Sequence, residues 1–357
     1  ESSPSLSSQS PLSPGIHWSL TPPSKETAPI IELTDLKSLA RSERLKSSRL
    51  PLLLIGFSFI LIIGALLFKG DQGTGDNRIR LLAPRKGQTE LSEQKMKEKF
   101  KKAHASLQSD TFTGYQRAQN ELVEIIEGAP PQPEFAAKKA GMVSTLCLVY
   151  RELWPFAFQD SRDMKVLGGV AQEAKRLDPA GLNGALCEIV QMMLNGRYRD
   201  AQGLTENMLV DESQTPVLFE VRGDQYSYVR DFANAAIYFN QARTLWPAWQ
   251  KTAVQEARAR AEERQYPQAI SLFRGVLAKV PEHPVAKVEL ALIEYSQFQQ
   301  VDKALELLNS AIDGGERLPK PIEARALLGV AQIYMKRNQR SKALDFARRS
   351  YALNSAS

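Results

Sequence analysis

PVLFEVRGDQYSYVRDFANAAIYFNQARTLWP, residues 216–247, is the stretch whose reading decides the fold. Small residues (Gly223, Ala235, Ala242) recur in it beside large rings (Phe219, Tyr226, Phe239), and Pro247 ends it. Read as two antiparallel helices, the small residues let the helices approach, the rings fill the space beside them, and the proline stops the second helix. The pattern repeats. A step of 34 residues forward lands on Ala269, Phe273 and Pro281, and a step back lands on Ala201. Tyr295, Ala304, Leu308 and Ala311 repeat the second half after one extra residue, and Tyr334 and Ala343 after five more, inserted in GGERLPK. Upstream, Ala174 and Pro179 end a degenerate unit, and Tyr115, Ala118, Leu122 and Pro130 end the first. From about residue 90 the chain therefore reads as seven helix-pair units. No unit buries its apolar face alone, so the units must stack.

These residues, in this order and at these spacings, closely resemble the tetratricopeptide repeat (TPR) family. The match is strong over 182–353, within TPR units assigned to 182–357, and weak over 90–181, where the units lack the glycine and Pro155 falls inside an expected first helix. The resemblance implies an all-α, right-handed TPR-type α-solenoid whose concave wall is made mainly of residues from the first helix of each pair. It also implies which residues meet a protein partner: Glu220, Asp224 and Tyr228 in the clearest unit, Arg258 and Glu262 in the next, Glu289, Ser296 and Gln297 in the third, and Arg325, Gln332 and Lys336 in the last. The family's clamp for chaperone C-termini needs Lys and Asn at two fixed positions. Here those positions hold Glu220/Asp224, Val254/Arg258, Glu289/Ile293 and Leu328/Gln332, so that partner class is disfavoured. On the same register Ala235 and Phe239 are internal.

Leu50 to Phe68 (LPLLLIGFSFILIIGALLF) contains no charge and one hydroxyl, Ser58. At about 1.5 Å per residue it reaches roughly 28 Å, close to a hydrocarbon core of about 30 Å, and Pro51 falls in the first turn where a missing N–H costs nothing. Residues 50–68 are expected to be an uncleaved transmembrane helix, since no small-residue cleavage site follows. Residues 1–29, rich in Ser and Pro, are expected to be disordered, and 30–49 a basic amphipathic helix against the membrane. Residues 69–89 read as a flexible Gly-rich spacer; GDQGTG lacks the Gly-Lys-Ser/Thr ending of a phosphate loop. Lys37, Arg41, Arg44, Lys46 and Arg49 precede the span, against Lys69, Arg78 and Arg80 after it, which favours a cytoplasmic N-terminus and a periplasmic repeat domain. The sequence does not begin with Met, which leaves room for an upstream cytoplasmic domain.

The net charge of +6 invites a nucleic-acid reading. Residues 1–88 hold eleven Lys/Arg against seven Asp/Glu, however, and the rest holds 35 against 33, which is not a polyanion-binding balance. His17, His104 and His283 are scattered, so no zinc site or histidine triad is expected, and the carboxylates read as solvated helix faces. Met192 and Met193 sit at core spacing. No cofactor, metal or small-molecule substrate is expected, and the chain reads as a binding protein rather than an enzyme. Cys147 and Cys187 stand in apolar helical patterns and read as buried free thiols, a disulfide requiring Cα atoms within about 7 Å. No cysteine follows the span to take a lipid, and no N-glycosylation sequon is present. The expectation is a bacterial inner-membrane scaffold, the periplasmic TPR subunit of a pilus, flagellar motor, secretion or gliding machine. Two alternatives stand beside it: a chaperone-like ancillary subunit of the protein translocon, and the outer half of a signalling protein.

Overall fold

The structure is a computed structural model that describes residues 91–130, 135–157 and 161–355. The expected disordered segment, amphipathic helix, membrane span and spacer all lie outside the described residues. Among those described, no helix is long and apolar enough to cross a membrane.

Fourteen helices and no strand are described. They form seven antiparallel pairs: α1 (Glu93–Gln108) with α2 (Phe112–Gly128), α3 (Ala136–Ala157) with α4 (Ser161–Leu177), α5 (Leu182–Leu194) with α6 (Tyr198–Asp211), α7 (Pro216–Tyr228) with α8 (Phe232–Leu245), α9 (Gln250–Glu262) with α10 (Tyr266–Lys279), α11 (Pro284–Phe298) with α12 (Val301–Ile312), and α13 (Lys320–Lys336) with α14 (Arg340–Ser355). The expected register holds. Ala201, Ala235, Ala269, Ala304 and Ala343 are all buried at the same place in the second helix of their pair. Gly223 shows why the first helix needs a small residue: a Cβ there would lie 2.5 Å from the Phe239 ring, which is itself 1% exposed.

The turn inside each of the last five pairs is set by one backbone device. Gly196, Arg230, Arg264, Gln299 and Asn338 all have φ between 55° and 74°, the left-handed cap that ends a helix. The amide after each cap reaches back to a carbonyl in the last turn, as in Asp231 N to Tyr226 O at 3.0 Å and Gln265 N to Arg260 O at 2.8 Å. The second helices then restart on whatever cap the sequence supplies; the Asp231 side chain, for one, accepts from Asn234 N. Prolines stand in the first turns of α7, α10, α11 and α13, where they remove no helical bond.

The first two pairs depart from the register. α3 runs 22 residues and carries Pro155 near its end. The expectation of free thiols is corrected: Cys147 of α3 and Cys187 of α5 form a disulfide, with Cα atoms 5.5 Å apart and both residues fully buried. The two lie on facing sides of neighbouring first helices, a juxtaposition forty residues apart in sequence that only packing establishes.

Curvature brings the ends of the array together. The Asp110 carboxylate in the first turn meets His283 Nε2 at 3.1 Å, Thr113 bonds Glu316, and Arg317 donates to the Phe156 carbonyl at 3.0 Å. His283 is fully buried and caps α11, its Nδ1 accepting from Ala286 N at 3.2 Å. With Nδ1 accepting, Nε2 carries the proton that Asp110 receives.

Candidate protein-interaction wall

First helices contribute their inner faces to one wall, and charge fills it. At its centre Arg151 and Glu152 of α3 meet Glu220 and Asp224 of α7 and Lys251 of α9. Arg151 Nη2 lies 2.6 Å from Glu220 and 2.7 Å from Glu152, and Lys251 Nζ lies 2.8 Å from Glu220 and also pairs with Glu152. Asp224 stands off, 3.7 Å from Arg151 and 3.8 Å from Lys251. The side chains of Arg151, Glu220 and Lys251 are 6%, 0% and 7% exposed, so the expectation of solvated carboxylates is corrected here. A carboxylate survives burial when cations and hydrogen bonds replace the lost water. Burial opposes the Glu220 charge, but Arg151 and Lys251 outweigh it and hold the group down at about 2. Burial, then the neighbouring Glu220 charge, push Asp224 up to about 7.

A second network lies farther along the wall. Arg325 of α13 grips Glu289 of α11 with both guanidinium nitrogens, at 2.7 and 3.0 Å, and Arg258 of α9 reaches the same carboxylate at 3.2 Å. Gln255 joins the two networks, accepting from Arg258 at 3.0 Å and donating to Asp224 at 3.3 Å. Burial raises Glu262, and Arg325 beside it pulls the other way.

The residues named from sequence thus separate. Glu220, Asp224, Arg258, Glu262, Glu289 and Arg325 come together on one wall. Tyr228 stands at its edge, 53% exposed, its ring stacked 3.6 Å from that of Tyr198. Gln297 and Lys336 are exposed at the far turn, where Lys336 bonds Gln299 and faces the Tyr295 ring, and Ser296 accepts from Gln297. Gln332 is half-buried, and its Oε1 has no hydrogen-bond partner among the described residues. Sequence reading missed Arg151, Glu152 and Lys251. The 34-residue period places them on first helices, but only the curvature that brings α3 against α7 and α9 makes them partners.

No curated protein matches the chain. Among solved structures it is similar to pilF of Pseudomonas aeruginosa (16% identity, 62% of this chain and 95% of that one, TM-score 0.48). It is also similar to a tetratricopeptide repeat protein from Parabacteroides merdae (11%, 73% and 93%, TM-score 0.44) and to MamA from Desulfovibrio magneticus (16%, 54% and 96%, TM-score 0.39). The tetratricopeptide repeat family model matches residues 260–315, from the end of α9 through α12. The described residues thus form an all-α array of stacked helix pairs, TPR-like in architecture, with that match inside its regular half.

Proposed function

We propose that the chain is a membrane-anchored protein-interaction scaffold. Leu50 to Phe68 holds it in a bacterial inner membrane, and its repeat domain works on the periplasmic side. The observation that carries this reading is the buried Cys147–Cys187 disulfide, because such bonds form and persist in oxidising compartments and are rare in the cytosol. The five-to-three excess of basic residues before the span points the same way. Repeat arrays act by presenting extended surfaces, and the wall around Asp224, Arg258 and Tyr228 is such a surface. Anchor, spacer and array together suit a subunit of an envelope-spanning machine of pilus, flagellar, secretion or gliding type.

Fusing to Ser357 a reporter active only outside the cytoplasm tests the placement. Signal there is expected; silence, with activity from a cytoplasmic reporter, overturns it. Crosslinking in cells tests the role. One or two stoichiometric partners, captured less well by Tyr228→Ala, support a scaffold, whereas capture of many unfolded exported proteins would favour a chaperone of the translocon.

A further inference from the structure

The junctions of the regular half share a pattern that, among the described residues, the last pair leaves open. In α6, α8, α10 and α12 apolar residues at i, i+7 or both pack toward the first helix of the next pair, and in the first three of these the residue at i+4 makes a polar contact across the junction. In α10 the three positions hold Ile270, Arg274 and Leu277. Ile270 and Leu277 join the core cluster shared with α11, while Arg274 Nη2 binds Glu294 of α11 at 3.0 Å. The middle residue makes the same kind of polar contact elsewhere: Glu206 of α6 pairs with Arg222 of α7, and Asn240 of α8 donates to Glu256 of α9 at 3.3 Å.

In α14 the three are Leu344, Arg348 and Tyr351, and among the described residues no helix covers them. Tyr351 is 75% exposed, whereas its equivalents Leu277 and Ile312 are packed against the next pair. Arg348 is exposed, with no carboxylate partner among the described residues. The charge of α14 itself leans basic, with Arg340, Lys342, Arg348 and Arg349 against Asp345. Over the whole last pair, residues 320–357 hold eight Lys/Arg and two Asp/Glu, a surplus of six.

We infer that the Leu344–Arg348–Tyr351 face is a docking site for an amphipathic helix of a partner protein, one with an apolar stripe and an acidic residue placed to meet Arg348. The apolar pair supplies burial and the arginine supplies register, as Arg274 does inside the array. The basic surroundings favour an acidic partner and speed its approach. This site is separate from the wall of first helices and does not depend on which side of the membrane the array lies.

The test uses the full chain in detergent micelles and a stapled, fluorescent peptide of the α11 sequence, Pro284–Phe298, the helix that Arg274 already accepts. Saturable binding is expected, at least tenfold weaker with Arg348→Glu and weaker again with Tyr351→Asp. A peptide carrying Glu294→Lys should bind the wild-type chain poorly and recover on Arg348→Glu. No saturable binding, or binding indifferent to both substitutions, overturns the proposal, as does loss without recovery in the swapped pair. Self-association of the chain that Arg348→Glu abolishes would assign the face to a second copy instead. Binding to phosphatidylglycerol vesicles without peptide binding would assign it to a lipid surface.

Discussion

The two halves of the array solve the same packing problem in different ways. Over the first three pairs and the start of α7, buried side chains from Met96 to Val221 form one continuous cluster, with the disulfide inside it. From α7 onward the core is a series of smaller clusters, one between pairs four and five, one between five and six, and one between six and seven. In the regular half each junction has a small cluster of its own, so stability is close to a sum of local terms. The first half, whose first two pairs lack the repeated alanine, holds its helices by merging their cores and adding a covalent link. Regularity and crosslinking are alternative ways to fix one helix against the next.

The largest expected effect breaks the regular half. Phe239 is the ring that Gly223 makes room for, and Phe239→Ala removes it from a fully enclosed site. A loss of about 3 to 5 kcal/mol in urea unfolding is expected, from lost burial plus the cavity left behind. Hydrogen exchange should show the damage spreading to α7 and α9 while α3 to α5 stay protected. Exchange rising equally across the whole chain would mean that the halves are one cooperative unit and the distinction between them is wrong.

The complementary cut is Cys147→Ala with Cys187→Ala. Releasing a loop of this length costs about 2 to 4 kcal/mol through the unfolded chain. The loss should appear as early exchange in α3 to α6, with α9 to α14 unchanged. A melt that moves as one transition by the same amount would again join the halves.

The sequence made the regular half legible because its packing is local. Ala201, Ala235, Ala269, Ala304 and Ala343 recur at near-constant separation, and each is buried where the period puts it. The disulfide and the Arg151–Glu220–Lys251 network were not legible, because they join residues whose proximity is set by the curvature of the array. Lys251 and Glu152 are 99 positions apart in the chain. The charge of the last pair was present in the sequence but hidden by averaging: its surplus of six disappears when counted over the near-neutral stretch from residue 89 onward. Glu220 and Glu289, expected from the sequence to face a partner, are each held by the chain's own cations, which the repeat register alone does not reveal.

The central network gives the comparison a pH axis. Asp224 titrates near 7 in the folded chain against 3.8 as a free side chain. Between these values the folded state keeps a proton that the unfolded chain has released, so stability falls as pH rises from about 4 to 7 and then levels. Asp224→Asn mimics the protonated form. It should stabilise the protein at pH 8 by about 1 to 3 kcal/mol, change little at pH 4, and flatten the profile between. A larger benefit at pH 4 than at pH 8 would show that Asp224 is instead held ionised by Arg151 and Lys251.

The smallest effect tests the repeated turn itself. Gly196 and Arg264 occupy the same left-handed cap two units apart, with φ of 74° and 60°. A side chain at positive φ crowds its own backbone at a cost of about 1 kcal/mol, whereas glycine does not and loses only some unfolded-state freedom in exchange. Arg264→Gly should therefore stabilise the regular half by about 0.5 kcal/mol. Gly196→Arg should destabilise the other half by a similar or larger amount, although a Cβ at Gly196 would meet no atom within 4 Å. With no steric neighbour to blame, a loss there can come only from the backbone. The paired sign change, read from urea midpoints at constant slope, is the measurement that matters. Arg264→Gly that destabilises while Gly196→Arg is neutral would show that the cap geometry is not the term that sets these turns.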